Sequence, residues 1–390
     1  MSATVDPIVV LGSGLAGWTT VRELRKLEPA APVTVITADS GDFYAKPSLS
    51  NAFAQGKRPE QLVNIAAAKM AETLGVTLRQ RTRVEQIDRV AHTVVTANGP
   101  VAYGRLVLAT GARPIRVPLD GDGAQLVQSI NSLDDFATFH ARLRPGARVA
   151  IMGAGLIGCE FANDLATAGM RVSVIDPSTR PLAALLPEQA SEALRGALQA
   201  LGVGWHFGTT VQAVHRDGDA LLLELADGES IAADVVLSAI GLRADTALAQ
   251  AAGLACDRGI VVDSTLATSD ADIFALGDCA QYAVGLWADG PITGGRSLPY
   301  VMPIMHAARV LAARLAGRTD TLAFPLMPVS VKTPALPLVV ASPALAGGGQ
   351  WHGPEEGLWH FVDDGGLARG FVLAGKQTAR RAEMSLRLAV

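Results

Sequence analysis

Two glycine turns, Gly12-Ser13-Gly14-Leu15-Ala16-Gly17 and Gly153-Ala154-Gly155-Leu156-Ile157-Gly158, lie about 140 residues apart, each directly after an apolar run. The first follows Ile8-Val9-Val10-Leu11 and leads into a helix-compatible stretch, Trp18 to Leu27. The second follows Arg148 to Met152 and leads into Cys159 to Ala168. A lone Gly-x-Gly-x-x-Gly carries little weight in a chain with 40 glycines, but strand, turn and helix in that order is the context the fingerprint requires. There the first glycine makes the tight turn, the second admits a pyrophosphate, and the third lets helix and strand approach closely. The helix N-terminal amides then face the phosphates. Two such turns predict two nucleotide seats, with electrons passing from one bound nucleotide to the other.

The rest of the chain repeats this plan. After the first turn, the strand Val33-Thr34-Val35-Ile36 leads to Asp39, where an acid accepts bonds from an adenosine ribose or caps its own turn. A helical stretch is expected before Tyr103, and then an apolar strand ends in Thr110-Gly111-Ala112-Arg113-Pro114. The second copy runs from about Val117 to Arg243, through the strand Arg171 to Ile175, the acid Asp176 and a closing run Ala233 to Gly241 that mimics Leu106 to Gly111. This is an internal repeat with the second copy inserted into the first. The run Asp272 to Ala280 delivers Asp278 at the carboxyl end of a short strand, where ligands of open parallel sheets bind.

Pro303 suits the first turn of a helix running to about Leu315 and ended by Gly317. From Pro325 to Val390 the pattern becomes short apolar runs broken by Pro and Gly, read as antiparallel strands with a final helix near Lys376 to Leu388. Trp287 to Leu298 reads as a surface loop. The expected fold class is α/β: two Rossmann-like dinucleotide-binding domains plus a small α+β C-terminal domain. Their expected bounds are 1–116 with 244–324, 117–243, and 325–390.

Composition removes several classes of function. The chain has 390 residues, 49% hydrophobic and 18% charged, as expected of a soluble α/β protein. The first apolar run ends in the glycine turn without a basic region before it, so it reads as a strand and not a signal peptide. Pro337 and Pro343 interrupt the most apolar later stretch, which is too short to span a bilayer. A cytoplasmic protein without nucleic-acid or membrane partners is expected. Cys159, Cys256 and Cys279 are scattered, without the pairing or spacing of a redox disulfide, zinc site or iron-sulfur cluster, so no metal is expected. From Pro291 onward there are 10 Lys and Arg against 6 Asp and Glu, a net of +4 in a chain of net −4. That bias either meets an acidic partner or is ordinary surface charge.

Four elements, Gly12 to Gly17, Thr110 to Pro114, Gly153 to Glu160 and Gly277-Asp278, resemble in order the two-dinucleotide-binding-domain flavoprotein reductases. The segments Ile36 to Asp39, Tyr44-Ala45-Lys46-Pro47-Ser48-Leu49-Ser50, Gly158 to Leu165, and Val331-Lys332-Thr333-Pro334 with Pro337-Leu338 are similar to bacterial rubredoxin reductases. The flavorubredoxin reductases share much of this pattern. The loop Leu286 to Leu298 is longer than the resemblance leads one to expect.

The resemblance implies FAD in the first domain and NADH in the second. It implies FAD contacts from Gly12, Gly14, Leu15, Ala16, Gly17, Asp39, Lys46, Pro47, Val84, Thr110, Gly111, Gly277, Asp278, Val301 and Lys332. Asp278 would bond the ribityl chain, and Lys46 and Lys332 would lie near the isoalloxazine, if they are not simply solvated lysines. Gly153, Gly155, Gly158, Asp176 and Gly241 would hold the nicotinamide nucleotide, and Glu160 would sit where the nicotinamide docks, if it is not a helix-surface acid. Lys46, Glu160 and Lys332 are therefore the catalytic candidates.

The implied reaction is hydride transfer from NADH to FAD, followed by single-electron transfers to an acidic rubredoxin, by a monomer. Asp176 would favour NADH over NADPH, with Arg180 near enough in sequence to weaken the preference. Relatives that use thiols need a reactive Cys where this chain reads Lys46-Pro47-Ser48-Leu49-Ser50-Asn51. Competing readings are a ferredoxin reductase of an oxygenase system, a flavorubredoxin reductase, an FAD-binding redox-responsive regulator and an NADH oxidase.

Overall fold

The structure, a computed structural model, describes residues 7–283, 295–343 and 348–388. The chain forms two compact units: residues 1–45, 63–113 and 242–327 in one, and 46–62, 114–241 and 328–390 in the other.

In the first unit a five-stranded parallel sheet runs in the order Ile273–Ala275, Arg105–Leu108, Ile8–Leu11, Val33–Ile36, Thr77–Arg79. Strands buried on both faces read as unbroken apolar runs, and Ile8–Leu11 is buried at all four positions. The helices Leu15–Leu27 and Val301–Leu315 pack against each other. Trp18 is fully buried and donates its indole N–H to the Gly41 carbonyl at 3.0 Å. Pro303 lies in the first turn of the later helix, and Gly317 follows its end with φ +81°. Both bear out the sequence reading.

The helical stretch expected before Tyr103 is corrected. Only Ala67–Leu74 is α-helical there, and Val84–Asp88, Thr93–Thr96 and Gly99–Ala102 form an antiparallel meander. Its burial is limited to scattered positions such as Ile87, Val94 and Thr96, too few to mark three short strands by their apolar pattern.

The second unit repeats the parallel core in the order Gly204–Phe207, Arg171–Asp176, Arg148–Met152, Val235–Ser238. A three-stranded antiparallel sheet, Val211–Asp217, Ala220–Leu225 and Ser230–Ala233, adds to it. Residues 328–388 supply a five-stranded antiparallel sheet in the order Val329–Val331, Leu338–Ala341, Ala368–Ala374, Leu358–Asp363, Gly349–Glu355.

The final helix begins later than expected. Gly375–Arg380 is a 3-10 turn in which the Thr378 hydroxyl bonds back to the Gly375 carbonyl at 2.7 Å, and α-helix runs only from Arg381 to Leu388. Of the surface loop expected from Trp287 to Leu298, the part up to Gly294 lies outside the described residues. Among the described residues no helix is long and apolar enough to cross a membrane.

Candidate functional site

The first glycine turn joins the strand Ile8–Leu11 to the helix Leu15–Leu27. Gly12 has φ +108°, and a Cβ there would strike the Ala109 carbonyl; a Cβ on Gly17 would strike the Gly12 carbonyl. Protein packing therefore demands glycine at both positions. Gly14 differs: its φ is an ordinary −72°, and a Cβ would meet nothing within 4 Å. The N-cap residue Gly14 makes no side-chain cap bond to the helix, and the first amides of a helix have no partner within it. An exposed glycine with room around it, ahead of uncapped amides, fits a phosphate-bearing ligand that approaches the backbone closely.

Other predicted residues of the first unit gather around this turn. The Ala109 carbonyl against Gly12 brings up Thr110 and Gly111, and the Thr110 hydroxyl donates to the Asp245 carbonyl at 2.9 Å. A Cβ on Gly277 would come within 2.9 Å of the Ala16 Cβ, which places the Gly277–Cys279 turn and Asp278 against the start of the helix. The Gly277 amide donates to the Tyr282 hydroxyl at 2.8 Å. The helix that begins at Val301, also without a side-chain cap, packs on the same turn. Val84 opens the strand just past Thr82, whose amide donates to the Thr37 carbonyl at 2.8 Å.

Asp39 Oδ1 accepts from the Ser13 hydroxyl at 3.0 Å, the Thr37 hydroxyl at 2.6 Å and the Gly41 amide at 2.9 Å. The carboxylate thus caps its own turn through Oδ1, and none of these bonds uses Oδ2. Ser13 and Thr37, both buried, were not singled out in the sequence although they flank the turn and the acid.

The second turn repeats the glycine geometry of the first. Gly153 has φ +105° and lies against Ala239 and Ile240, next to Gly241, while Gly158 lies against the Gly153 carbonyl. Gly155 has φ −73°, open space where a Cβ would go, and an uncapped helix after it. Asp176 Oδ2 accepts from the Ala154 amide at 2.6 Å and its Oδ1 from the Ser178 amide at 2.7 Å, so this acid braces the turn itself.

The catalytic candidates belong to the second unit. Glu160 is not a surface acid: it is 1% exposed. Its Oε2 accepts from the Ser50 hydroxyl at 2.6 Å and from the Lys332 ammonium at 2.9 Å, while Oε1 accepts from the Lys332 backbone amide at 2.9 Å. The Lys332 side chain stays 36% exposed and also donates to the Pro47 carbonyl. The burial is one-sided: losing the ammonium would leave the Glu160 carboxylate buried without its cation, whereas the half-exposed ammonium can still reach water. Lys46 is exposed and donates to Asn131 Oδ1 at 3.1 Å. The structure therefore joins Glu160, Ser50, Pro47 and Lys332, with Lys46 next in the chain to Pro47.

Two residues near this cluster were missed as site residues. Asn163 and Asp164, 1% and 2% exposed, lie three and four positions beyond Glu160. Three polar residues on one stripe of an otherwise apolar helix were the available signal. Burial pushes the thiols of Cys159, Cys256 and Cys279 all above the ordinary thiol value, which disfavours the reactive thiolate. Among the described residues no three His, Cys, Asp or Glu side chains cluster as metal ligands.

Comparison with known proteins agrees with this geometry. Residues 6–296 match the family described as pyridine nucleotide-disulphide oxidoreductase, and residues 321–388 match a rubredoxin binding C-terminal domain. A rubredoxin-NAD(+) reductase of Alcanivorax borkumensis is 43% identical over 98% of this chain and 99% of its own length. A nitric oxide reductase FlRd-NAD(+) reductase of Vibrio vulnificus is 40% identical over 86% of this chain and 85% of its own. Among solved structures, a ferredoxin reductase from Rhodopseudomonas palustris is 26% identical with a TM-score of 0.88, covering 99% of this chain and 96% of that one. The chain belongs to the pyridine nucleotide-disulphide oxidoreductase family, in the branch of the rubredoxin reductases.

Proposed function

We propose that this oxidoreductase takes hydride from NADH onto FAD and hands single electrons to rubredoxin. The observation that carries the reading is the pair of cradles, each with an open middle glycine before an uncapped helix, in a chain that ends in a rubredoxin-binding domain. FAD supplies the chemistry that accepts electrons in pairs and releases them singly.

The protein's share is to bind and orient. In this reading the helix Leu15–Leu27 sets its first amides toward the FAD phosphates, Asp39 offers Oδ2 to the adenosine ribose, and Asp278 takes the ribityl chain. The positive end of the helix Val301–Leu315 favours negative charge on the reduced ring. Leu15, Ala16, Val84, Thr110, Gly111 and Gly277 complete the FAD contacts. In the second cradle Gly153, Gly155, Gly158 and Gly241 admit the NADH backbone, and Asp176 selects a free ribose 2′-hydroxyl. Because both Asp176 oxygens already hold backbone amides, removing this acid should loosen the turn as well as the selectivity. Lys46, Lys332 and Glu160 are the charged groups assigned to the reacting rings. The raised thiols of Cys159, Cys256 and Cys279 take no part. The protein is assigned to the cytoplasm as a monomer, with an acidic rubredoxin drawn to its basic C-terminal third.

The 40% identical FlRd-NAD(+) reductase supports a second acceptor, flavorubredoxin. Steady-state turnover with NADH and purified rubredoxin, flavorubredoxin or ferredoxin, at low and high ionic strength, separates these. Rubredoxin should be reduced fastest, and the rate should fall as salt screens the basic surface. Ferredoxin reduced about tenfold faster than rubredoxin would overturn the assignment of acceptor.

A further inference from the structure

The helix Leu156–Thr167 buries eight consecutive residues, Gly158 to Leu165. Five of them are Gly or apolar, and the other three are Glu160, Asn163 and Asp164, spaced i, i+3 and i+4 on one stripe. Polar groups this deeply buried are costly unless they are bonded. Each is bonded, and mostly to main chain from far along the sequence. Asp164 Oδ2 and Oδ1 accept from the Phe53 and Ala54 amides, both at 2.9 Å. Asn163 Oδ1 accepts from the Ala335 amide at 3.0 Å.

The segments held in this way lie just past regular elements. Phe53 and Ala54 follow the 3-10 turn Lys46–Asn51, which carries Lys46, Pro47 and Ser50. Ala335 lies just beyond Lys332, which itself follows the strand Val329–Val331. Leucine at 163 or 164 would fill space in an apolar helix but could accept no amide. At Asp164 burial pushes the carboxyl above the ordinary aspartate value, outweighing the opposing bonds from the Ala54 and Phe53 amides. A carboxyl group is kept where burial opposes its ionisation, which points to its two acceptor oxygens as its use.

We propose that Asn163 and Asp164 are positioning residues, which hold the backbones of 53–54 and 335 so that the Ser50 hydroxyl and the Lys332 ammonium stay on the Glu160 carboxylate. Neither is a catalytic residue, since each acts through the segment it holds. The anchoring stands apart from the proposed function, and only the importance of Lys332 in turnover rests on it.

The test reads the lysine itself. The intact flavin-loaded chain is treated briefly with acetic anhydride, and acetylation at Lys332 is measured by mass spectrometry against Lys26 and Lys376 as internal references. Asn163→Ala should raise the relative Lys332 rate by roughly threefold to tenfold, the scale of one lost hydrogen bond. Asn163→Asp keeps an oxygen for the Ala335 amide but buries a further carboxylate beside Asp164 and gives up the bond to the Thr167 hydroxyl, so it should bring the rate part of the way back. Asp164→Asn keeps one of its two acceptors and should give a smaller rise. A Lys332 rate unchanged in both Asn163→Ala and Asp164→Asn would overturn the proposal, as would a rate for Asn163→Asp no lower than for Asn163→Ala.

Hydrogen exchange of the wild-type protein needs no variant. The Phe53, Ala54 and Ala335 amides should exchange at least about 100-fold slower than unprotected loop amides. Exchange at loop rates would count equally against the anchors. Neither readout involves NADH or an acceptor, so failure here is distinct from failure of the functional reading.

Discussion

At the Asp164 carboxyl, burial raises the pKa more than the Ala54 and Phe53 amides lower it. A group whose folded pKa is raised contributes stability that is full below its unfolded value and is lost as pH rises through the folded value. Acidification from neutrality into the carboxylate range should therefore favour the wild type over Asp164→Asn, whose amide does not titrate. Thermal melts of both proteins across that range should show the melting-temperature difference shifting toward the wild type at lower pH. A difference independent of pH would contradict the account. Glu160 could be singled out from the sequence because a whole motif surrounds it. Asn163 and Asp164 could not be assigned roles, because their partners Ala335 and Ala54 lie 172 and 110 residues away. A polar helix residue reads as solvent-facing until its partner is known.

Among the elements, the glycine turns separate what packing requires from what a ligand requires. Gly17→Ala drives a methyl group into the Gly12 carbonyl, whereas Gly14→Ala places one in open space. Overpacking of this kind costs about 1–3 kcal/mol, so Gly17→Ala should melt roughly 3–8 °C lower even without FAD. Gly14→Ala should melt like the wild type without FAD and yet retain FAD about tenfold less tightly, because its new methyl group lies where the phosphates approach. Equal melting of the two variants without FAD, or wild-type FAD retention by Gly14→Ala, would contradict this division. The parallel strands around the turns were legible because burial on both faces leaves unbroken runs such as Ile8-Val9-Val10-Leu11. The meander Val84–Asp88, Thr93–Thr96, Gly99–Ala102 was not, since strands of four or five residues with at most two buried positions each give the pattern too little length to register.

Across the whole molecule, one solution is used twice. Each unit has a parallel sheet, a glycine turn after its central strand, an open middle glycine and an acid that braces the turn, Asp39 through Ser13 and Asp176 through the Ala154 amide. The two braces differ in chemistry. Asp39 accepts a side-chain hydroxyl of the turn, and Asp176 accepts a main-chain amide of it. The internal repeat made this plan legible from spacing alone, whereas the grouping of residues 46–62 with the second unit has no counterpart in the linear pattern.

The central claim is that reduced nicotinamide on one cradle reduces FAD on the other, and that the flavin then yields its electrons one at a time. Anaerobic titration of the FAD-loaded protein with NADH, followed by oxidised rubredoxin, tests it most directly. The visible flavin absorption should bleach with about one NADH per flavin and return as about two rubredoxins are reduced. Protein that stays colourless after reconstitution with FAD, or a flavin band that NADH leaves unchanged, would contradict it.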